Sequence, residues 1–496
     1  MMFGDPAVDP RFNTAVEYDI TLTPEDIDGV IPEDLCGVIF RNGPADFRLA
    51  EHEFDGDGMI RRLNIAVDGS VAFLSRYAET AKRRIEADSP TPKVRGFGTQ
   101  IPGGPLHNMS AARERGNAAN TSVMRHGDCI LTLWEAGKPY QLNPSDLSTI
   151  GPYDFEGQLD AKIPFSAHPK FDPTTNELFN FGIDYGKTTQ IVTFRLDRTG
   201  KLTTVARTPV AHAPFVHDFA LTSKWCVYLV GPADISLLPF LTGLKSVNDS
   251  IKWHPERGTQ IVLVSRDGSR SLTFDADPWF QFHIGGAFKR DGEVIVDLVR
   301  FESWDSVAGP LKDFRNPIGG QEGNLWRYRI DPNKKVAAGE PISDLGVEFP
   351  QFDQRLATQD YTYSYLAQHP GWIGTGGVVR IDVRSGRVDA FNLPAGFRPS
   401  EPLFCPRPGG TFDEGWVMSW VWNPDRRATD ALIFDAEHIC DGPLATIKLP
   451  NVGVTFHGMW EPSGPTGDTP ADSGGGAVAR PPGEVPATPN SATGQM

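Results

Sequence analysis

Short β-rich runs joined by turn residues recur from one end of this chain to the other, and this pattern constrains the fold more than any other feature. Residues 62–74, 194–203, 288–297, 328–333 and 379–391 each read as strand and turn, several with a following strand. Asp-Gly, Asp-Pro and Ser-Gly pairs supply the turns, because Gly tolerates positive φ and Asp bonds to its own backbone two residues on. β-Branched and aromatic residues supply the strands. Long helical periodicity is nearly absent. Many hairpins at moderate spacing imply a large all-β protein, a sandwich array, a barrel or a propeller. The spacing is too irregular for a repeat count.

Glycine (51) and proline (42) are spread throughout, which suits many tight turns. From Ser463 onward the chain is almost all Pro, Gly, Ala, Ser and Thr with a few charges, so it is expected to be a disordered tail, 463–496. A net charge of −16 argues against nucleic acid as a partner and against a polybasic membrane anchor. Five cysteines, odd in number and without a Cys-x-x-Cys, suggest free thiols in a reducing compartment. The first six residues lack the basic start and apolar run of a secretion signal. No stretch reaches the ~18 apolar residues of a membrane span. A cytoplasmic protein is expected.

Four of the eleven histidines sit in similar settings, next to apolar or small residues near strand ends. They are His168 in Ser166-Ala-His-Pro-Lys-Phe-Asp-Pro, His217 in Phe215-Val-His-Asp-Phe-Ala, His283 in Phe282-His-Ile-Gly-Gly-Ala-Phe and His457 in Phe456-His-Gly-Met-Trp-Glu-Pro. A single histidine of this kind is ordinarily a satisfied core residue. A widely spaced set on different strands can instead converge on one metal, since neutral imidazole is the commonest metal ligand.

These four segments resemble, in order and spacing, the iron-ligand signatures of the carotenoid cleavage oxygenases. Phe40-Arg-Asn-Gly-Pro and Phe54-Asp-Gly-Asp-Gly-Met resemble that family's N-terminal signature. The resemblance covers roughly residues 15–462 and leaves 1–14 as an N-terminal extension. It implies a seven-bladed β-propeller, capped on one face by loops and short helices over a substrate tunnel. It also implies one Fe(2+) held by His168, His217, His283 and His457, with O2 as co-substrate. Three glutamates match family positions that accept the other ring N–H of the histidines: Glu135 for His217, Glu348 for His283 and Glu401 for His457. His168 would have no carboxylate partner. Such partners fix tautomer and orientation. Without the resemblance each glutamate would read as a surface carboxylate. Thr121 matches a threonine whose methyl group points at one vacant coordination position. The other histidines read as structural or surface.

The implied reaction is oxidative cleavage of one C=C bond of a small lipophilic, conjugated substrate to two carbonyl products. Stilbene- and phenylpropene-cleaving relatives carry a Lys immediately before the glutamate matching Glu135, with an upstream Tyr, to hold a phenolic oxygen. Here that position is Trp134, and no tyrosine occurs between Tyr77 and Tyr140. A substrate-binding Trp134 favours an apocarotenoid or carotenoid chain. Aryl-alkene cleavage, redox-neutral retinoid isomerisation and a non-enzymatic binding propeller stay open as alternatives. Gly285-Gly286 replaces bulkier family residues and is expected to widen the tunnel near iron. The apolar segment 235–244 reads either as a short buried helix or as a patch at the tunnel mouth that dips into a membrane. Oligomeric state is not legible.

Overall fold

The computed structural model describes residues 9–110, 116–315, 320–368 and 376–463. His369, most of the C-terminal tail (464–496) and residues 1–8 lie outside them. The hairpins form as their turn residues dictate. Ile284–Arg290 pairs with Glu293–Arg300 across Asp291-Gly292, both at positive φ, as a two-residue turn between twisted strands requires. Helices are short; the longest among the described residues is Asp305–Lys312, with eight.

In chain order the strands make seven antiparallel blades. The first contains Tyr18–Thr21, Gly37–Asp46, Asp57–Ile65 and Val71–Tyr77. The second spans 122–152, the third 170–209 and the fourth 220–276. The fifth begins with Ile284–Arg290, Glu293–Arg300 and Asn324–Asp331. The long strand Val336–Gln351 completes the fifth blade through its first part and opens the sixth through its last residues, with register shifts in both pairings. Tyr363–Gln368, Gly377–Asp382 and Val388–Asn392 finish the sixth blade, and residues 398–448 form the seventh.

The ring closes by exchange between the chain ends. Gly458–Pro462 pairs with Gly37–Asp46 in the first blade, and Ile27–Gly29 pairs with Ala445–Lys448 in the seventh. The core is correspondingly a circuit of apolar seams between neighbouring blades. Val38, Ile60, Val123 and Ile130 join the first to the second. Leu131, Phe165 and Phe194 join the second to the third, and Phe181, Cys226 and Val262 the third to the fourth. Leu263, Ile284 and Val296 continue the seam into the fifth blade, and Ile295, Leu366 and Val379 join it to the sixth. Val378, Phe404 and Phe434 join sixth to seventh, and Trp416, Trp420, Ile39 and Phe73 return to the first. This is the all-β, seven-bladed propeller that the resemblance implied. The short helices Ala81–Glu86, Pro105–Ser110, Leu237–Leu241, Val247–Ser250 and Asp305–Lys312 lie in the connections between strands. No helix among the described residues is long and apolar enough to cross a membrane.

Candidate metal centre and cavity

Each of the four histidines immediately precedes or lies just ahead of an edge strand of its blade. His168 stands before Lys170–Asp172, His217 before Ala220–Leu221, His283 before Ile284–Arg290 and His457 before Gly458–Pro462. An edge strand leaves its start free of further pairing, so the side chain there can turn toward the axis. The four rings meet there. His168 Nε2 lies 2.9 Å from His217 Nε2, His217 Nε2 lies 3.3 Å from His283 Nε2, and His283 Nε2 lies 3.1 Å from His457 Nε2.

The opposite ring nitrogens face carboxylates. His283 Nδ1 donates to Glu348 Oε2 at 2.5 Å, and His457 Nδ1 donates to Glu401 Oε1 at 2.9 Å. A neutral imidazole that carries its proton on Nδ1 presents a lone pair at Nε2. Glu135 Oε1 lies 3.1 Å from His217 Nδ1, but outside hydrogen-bond geometry, so both atoms are buried without a hydrogen bond. The same oxygen lies 3.5 Å from His168 Nε2, so Glu135 sits between two rings. The three glutamates thus stand beside the histidines assigned to them from the sequence, and His168 shares one of them on its inward side.

Electrostatics fit this arrangement. Burial, and then the neighbouring imidazoles, hold His168 and His217 well below the usual histidine range. Burial also lowers His457, against the pull of Glu401. At His283 burial is outweighed by Glu348, and the pKa is raised. Burial pushes Glu135 well above the carboxylate range, reinforced by Asp218. Glu401 is also buried, yet His457 and Arg41 bring it below its usual value.

Lone pairs of buried neutral imidazoles that point at one another repel unless a cation lies between them. Metal–nitrogen bonds of about 2.1 Å meeting at right angles place the nitrogens about 3.0 Å apart, close to the observed separations. The four residues therefore fit a divalent transition metal with an all-imidazole ligand set.

The histidines His217, His283 and His457 face a cavity of about 1160 Å³. Its wall near them is aromatic: Phe54, Phe215, Phe282, Phe349 and Trp134 all line it. Phe349 stacks on His283, with centroids 4.9 Å apart and planes at 27°. Thr121 also lines the cavity, and its hydroxyl donates to Asn120 Oδ1 at 3.3 Å. Two tyrosines reach the wall, but both hydroxyls are engaged. Tyr185 donates to Pro214 O at 2.9 Å, and Tyr140 accepts from the Ala81 N–H at 3.1 Å.

One sequence expectation needs correction, and one open choice is decided. Gly285-Gly286 does not widen the cavity. A Cβ on Gly286 would lie 2.2 Å from the Tyr361 ring, whose buried hydroxyl donates to Asp297 at 2.6 Å. The missing side-chain volume is thus filled from behind by Tyr361. Segment 235–244 is not a buried helix. No residue of Leu237–Leu241 is buried; Leu238 is 73 % and Leu244 62 % exposed, while Ile235, Leu237 and Phe240 line the cavity. The patch extends to a part of the chain that the sequence did not flag. Leu106 and Met109 are also exposed, on Pro105–Ser110, which packs against Gly243. Arg95 ties these pieces together by donating to Asn108 O, Phe240 O and Lys245 O.

Sequence reasoning missed several positioning residues. Asp218, next to His217, accepts from the Ile284 N–H at 2.9 Å and pairs with Lys170 at 2.8 Å, so it locks three histidine segments together. Arg41 donates to Glu401 at 3.1 Å. Asn42 bonds through its backbone to Phe456 and His457, and through its side chain to Ala119 O and Ser122 O. Arg41 and Asn42 were visible as part of Phe40-Arg-Asn-Gly-Pro, but the motif alone gave them no task.

The sequence matches the family described as retinal pigment epithelial membrane protein over residues 12–462. It is 33 % identical over 455 residues to the apocarotenoid-15,15′-oxygenase of Synechocystis sp., a match that covers 88 % of this chain and 92 % of that one. It is 29 % identical over 465 residues to the isoeugenol monooxygenase of Pseudomonas nitroreducens, covering 88 % and 94 %. The crystal structure of a cobalt-substituted Synechocystis apocarotenoid oxygenase superposes with a TM-score of 0.85 at 30 % identity, covering 92 % of this chain and 98 % of that one. With the same propeller and a match along nearly its whole described length, this chain belongs to the retinal pigment epithelial membrane protein family, the carotenoid cleavage oxygenases.

Proposed function

We propose that this protein is a non-heme Fe(II) dioxygenase that cleaves one C=C bond of an apocarotenoid-like conjugated substrate into two carbonyl products. The observation that carries the reading is the four-imidazole centre opening onto a large aromatic cavity. His168, His217, His283 and His457 would hold the iron. When bound, it supplies O2 activation, and both oxygen atoms end in the two carbonyl groups.

The chain's own residues do the rest. Glu348 and Glu401 hold the protons of His283 and His457 on the outer nitrogen and keep the inner lone pairs available. The aromatic wall excludes water and positions a flat conjugated chain by contact with its faces. Thr121, its hydroxyl turned to Asn120, narrows the approach to the centre. Trp134 offers an apolar surface where aryl-alkene cleavers need a cation, which favours the polyene over a stilbene or phenylpropene.

The exposed leucines around 237–244, with Leu106 and Met109, form an apolar rim beside cavity-lining residues. We assign this rim to peripheral contact with a membrane that delivers the substrate. All five cysteines are unpaired thiols, which suits a reducing cytoplasm.

The deciding measurement is metal content on anaerobically purified protein, paired with isotope-labelled O2. Near-stoichiometric iron in the wild type, lost in His283→Ala, with label in both carbonyl products, is expected. Iron content unchanged by the substitution, or products without label, would overturn the reading in favour of a binding propeller or a redox-neutral isomerase.

A further inference from the structure

Past Phe54, the cavity reaches a segment whose chemistry the cleavage reaction does not use. Phe54 packs edge-on against Phe282 and Phe456, the residues that precede His283 and His457, at 6.2 and 6.0 Å. One residue earlier stands Glu53. It lines the cavity together with Arg11, Phe12 and Phe314. Phe12, Phe47 and Phe314 form a tight aromatic cluster there, with Phe12 and Phe314 centroids 4.9 Å apart. Glu53 is half-buried and lines the cavity. Among the described residues its carboxyl meets no hydrogen-bond donor and no cation within bonding distance. The nearby Arg11 is turned to Asp9, with contacts of 2.9 and 2.6 Å.

An unpaired carboxyl in an apolar chamber is costly, and more so when a hydrocarbon displaces the water around it. A carboxyl beside the Phe12, Phe54 and Phe314 rings on the wall of a largely apolar cavity suits a ligand that is apolar along its length and carries oxygen at its tip. We propose that Glu53 recognises a hydroxyl or carbonyl group at one end of the conjugated substrate. Burial pushes the Glu53 pKa up to about 7, against the opposing pull of Arg11, so near neutral pH the group is in large part a neutral acid. A neutral carboxyl both donates and accepts, and so serves a carbonyl and a hydroxyl alike. The inference rests on reading this cavity as the substrate chamber, and it assigns Glu53 to the oxygen-bearing end of that substrate.

The test is equilibrium binding, read from quenching of tryptophan emission, in the full-length wild-type protein and in Glu53→Leu and Glu53→Gln. The probes are retinol, retinal and the matching deoxy hydrocarbon. The wild type is expected to bind the oxygenated probes about tenfold more tightly than the hydrocarbon, the worth of one well-made hydrogen bond. Glu53→Leu is expected to erase that difference by weakening the oxygenated probes while holding or improving the hydrocarbon. Glu53→Gln, which keeps a donor and an acceptor, should retain most of it. No preference in the wild type, or a loss in Glu53→Leu that is equal for all three probes, would overturn the proposal. Glu53→Gln and the wild-type comparison keep the test decisive if the leucine variant misfolds. Turnover plays no part in these measurements, so failure of the dioxygenase reading would appear separately, as absent iron or absent cleavage products.

Discussion

At the scale of single residues, the centre depends on side chains that are each unremarkable alone. Glu401 is buried and accepts from four groups: Arg41, His457, the Gly458 N–H and Gln351. Glu348 is less enclosed, but its contact with His283 is the shortest of the three glutamate–histidine pairs. Removing its charge while keeping its shape isolates the effect on the metal. Glu348→Gln is expected to lower iron affinity about 10–100-fold with little change in folding. Dialysis against a graded chelator, followed by metal analysis, checks this; unchanged iron retention would mean that Glu348 does not orient His283. The four histidines, the three glutamates and Trp134 were all legible in the sequence through the family signatures. Asp218 and Glu53 were not, because their importance lies in partners, or in the lack of one, that no local motif encodes.

At the scale of elements, strands and turns followed local chemistry, and the apolar segment 235–244 did not settle its own fate. A run such as Ile-Ser-Leu-Leu-Pro-Phe-Leu has the same composition whether it is covered or bare. The structure resolves the choice by splitting it: one side lines the cavity and the other faces outward, beside Pro105–Ser110. If this rim docks on a bilayer, the triple substitution Leu238→Ser, Leu241→Ser and Leu244→Ser should reduce co-sedimentation with phosphatidylcholine vesicles several-fold. It should lower kcat/KM for substrate presented in vesicles and leave kcat/KM for detergent-dispersed substrate near wild type. Equal activity in both presentations, with vesicle binding unchanged, would show that the rim serves another purpose. The Gly285-Gly286 expectation failed at this scale too. A glycine pair shows missing volume, but Tyr361, which fills that volume, arrives from a strand connection some seventy-five residues away.

At the scale of the whole molecule, stability is spread around a ring of seams, and polar contacts help some of them. Between the sixth and seventh blades Arg355 donates to Thr411 O at 2.9 Å and pairs with Asp353. Asp413, whose N–H bonds to Asp353 at 3.1 Å, brings a second carboxylate into this seam. Burial, and then the charge of Asp353, raise its pKa to about 6. A folded-state value above the ordinary 3.8 means that the folded protein takes up a proton here that the unfolded chain gives up. Its stabilising contribution is therefore fully present below about pH 4 and is lost as pH rises through about 6. Asp413→Asn should raise the melting temperature by about one to two degrees at pH 7.5 and have little effect near pH 4. Asn tolerates the positive φ of 66° at this position, so backbone strain does not confound the comparison. A shift of the same size at both pH values, followed by differential scanning fluorimetry, would point to packing instead of charge.

The sequence by itself determined the all-β class and the turn positions and, through its resemblance to a family, picked out the four histidines that the structure brings together. These are set by neighbours a few residues apart or by motifs long enough to be specific. It did not by itself fix the number of blades. The long strand Val336–Gln351 serves two blades, and the first and seventh each borrow a strand from the far end of the chain. Only the tertiary structure decided how the ring closes, what fills the space behind Gly285-Gly286, and which polar groups face the cavity unpaired. Those outcomes depend on contacts between residues tens to hundreds of positions apart, which burial and steric fit select when the chain packs, and which no short stretch of sequence specifies.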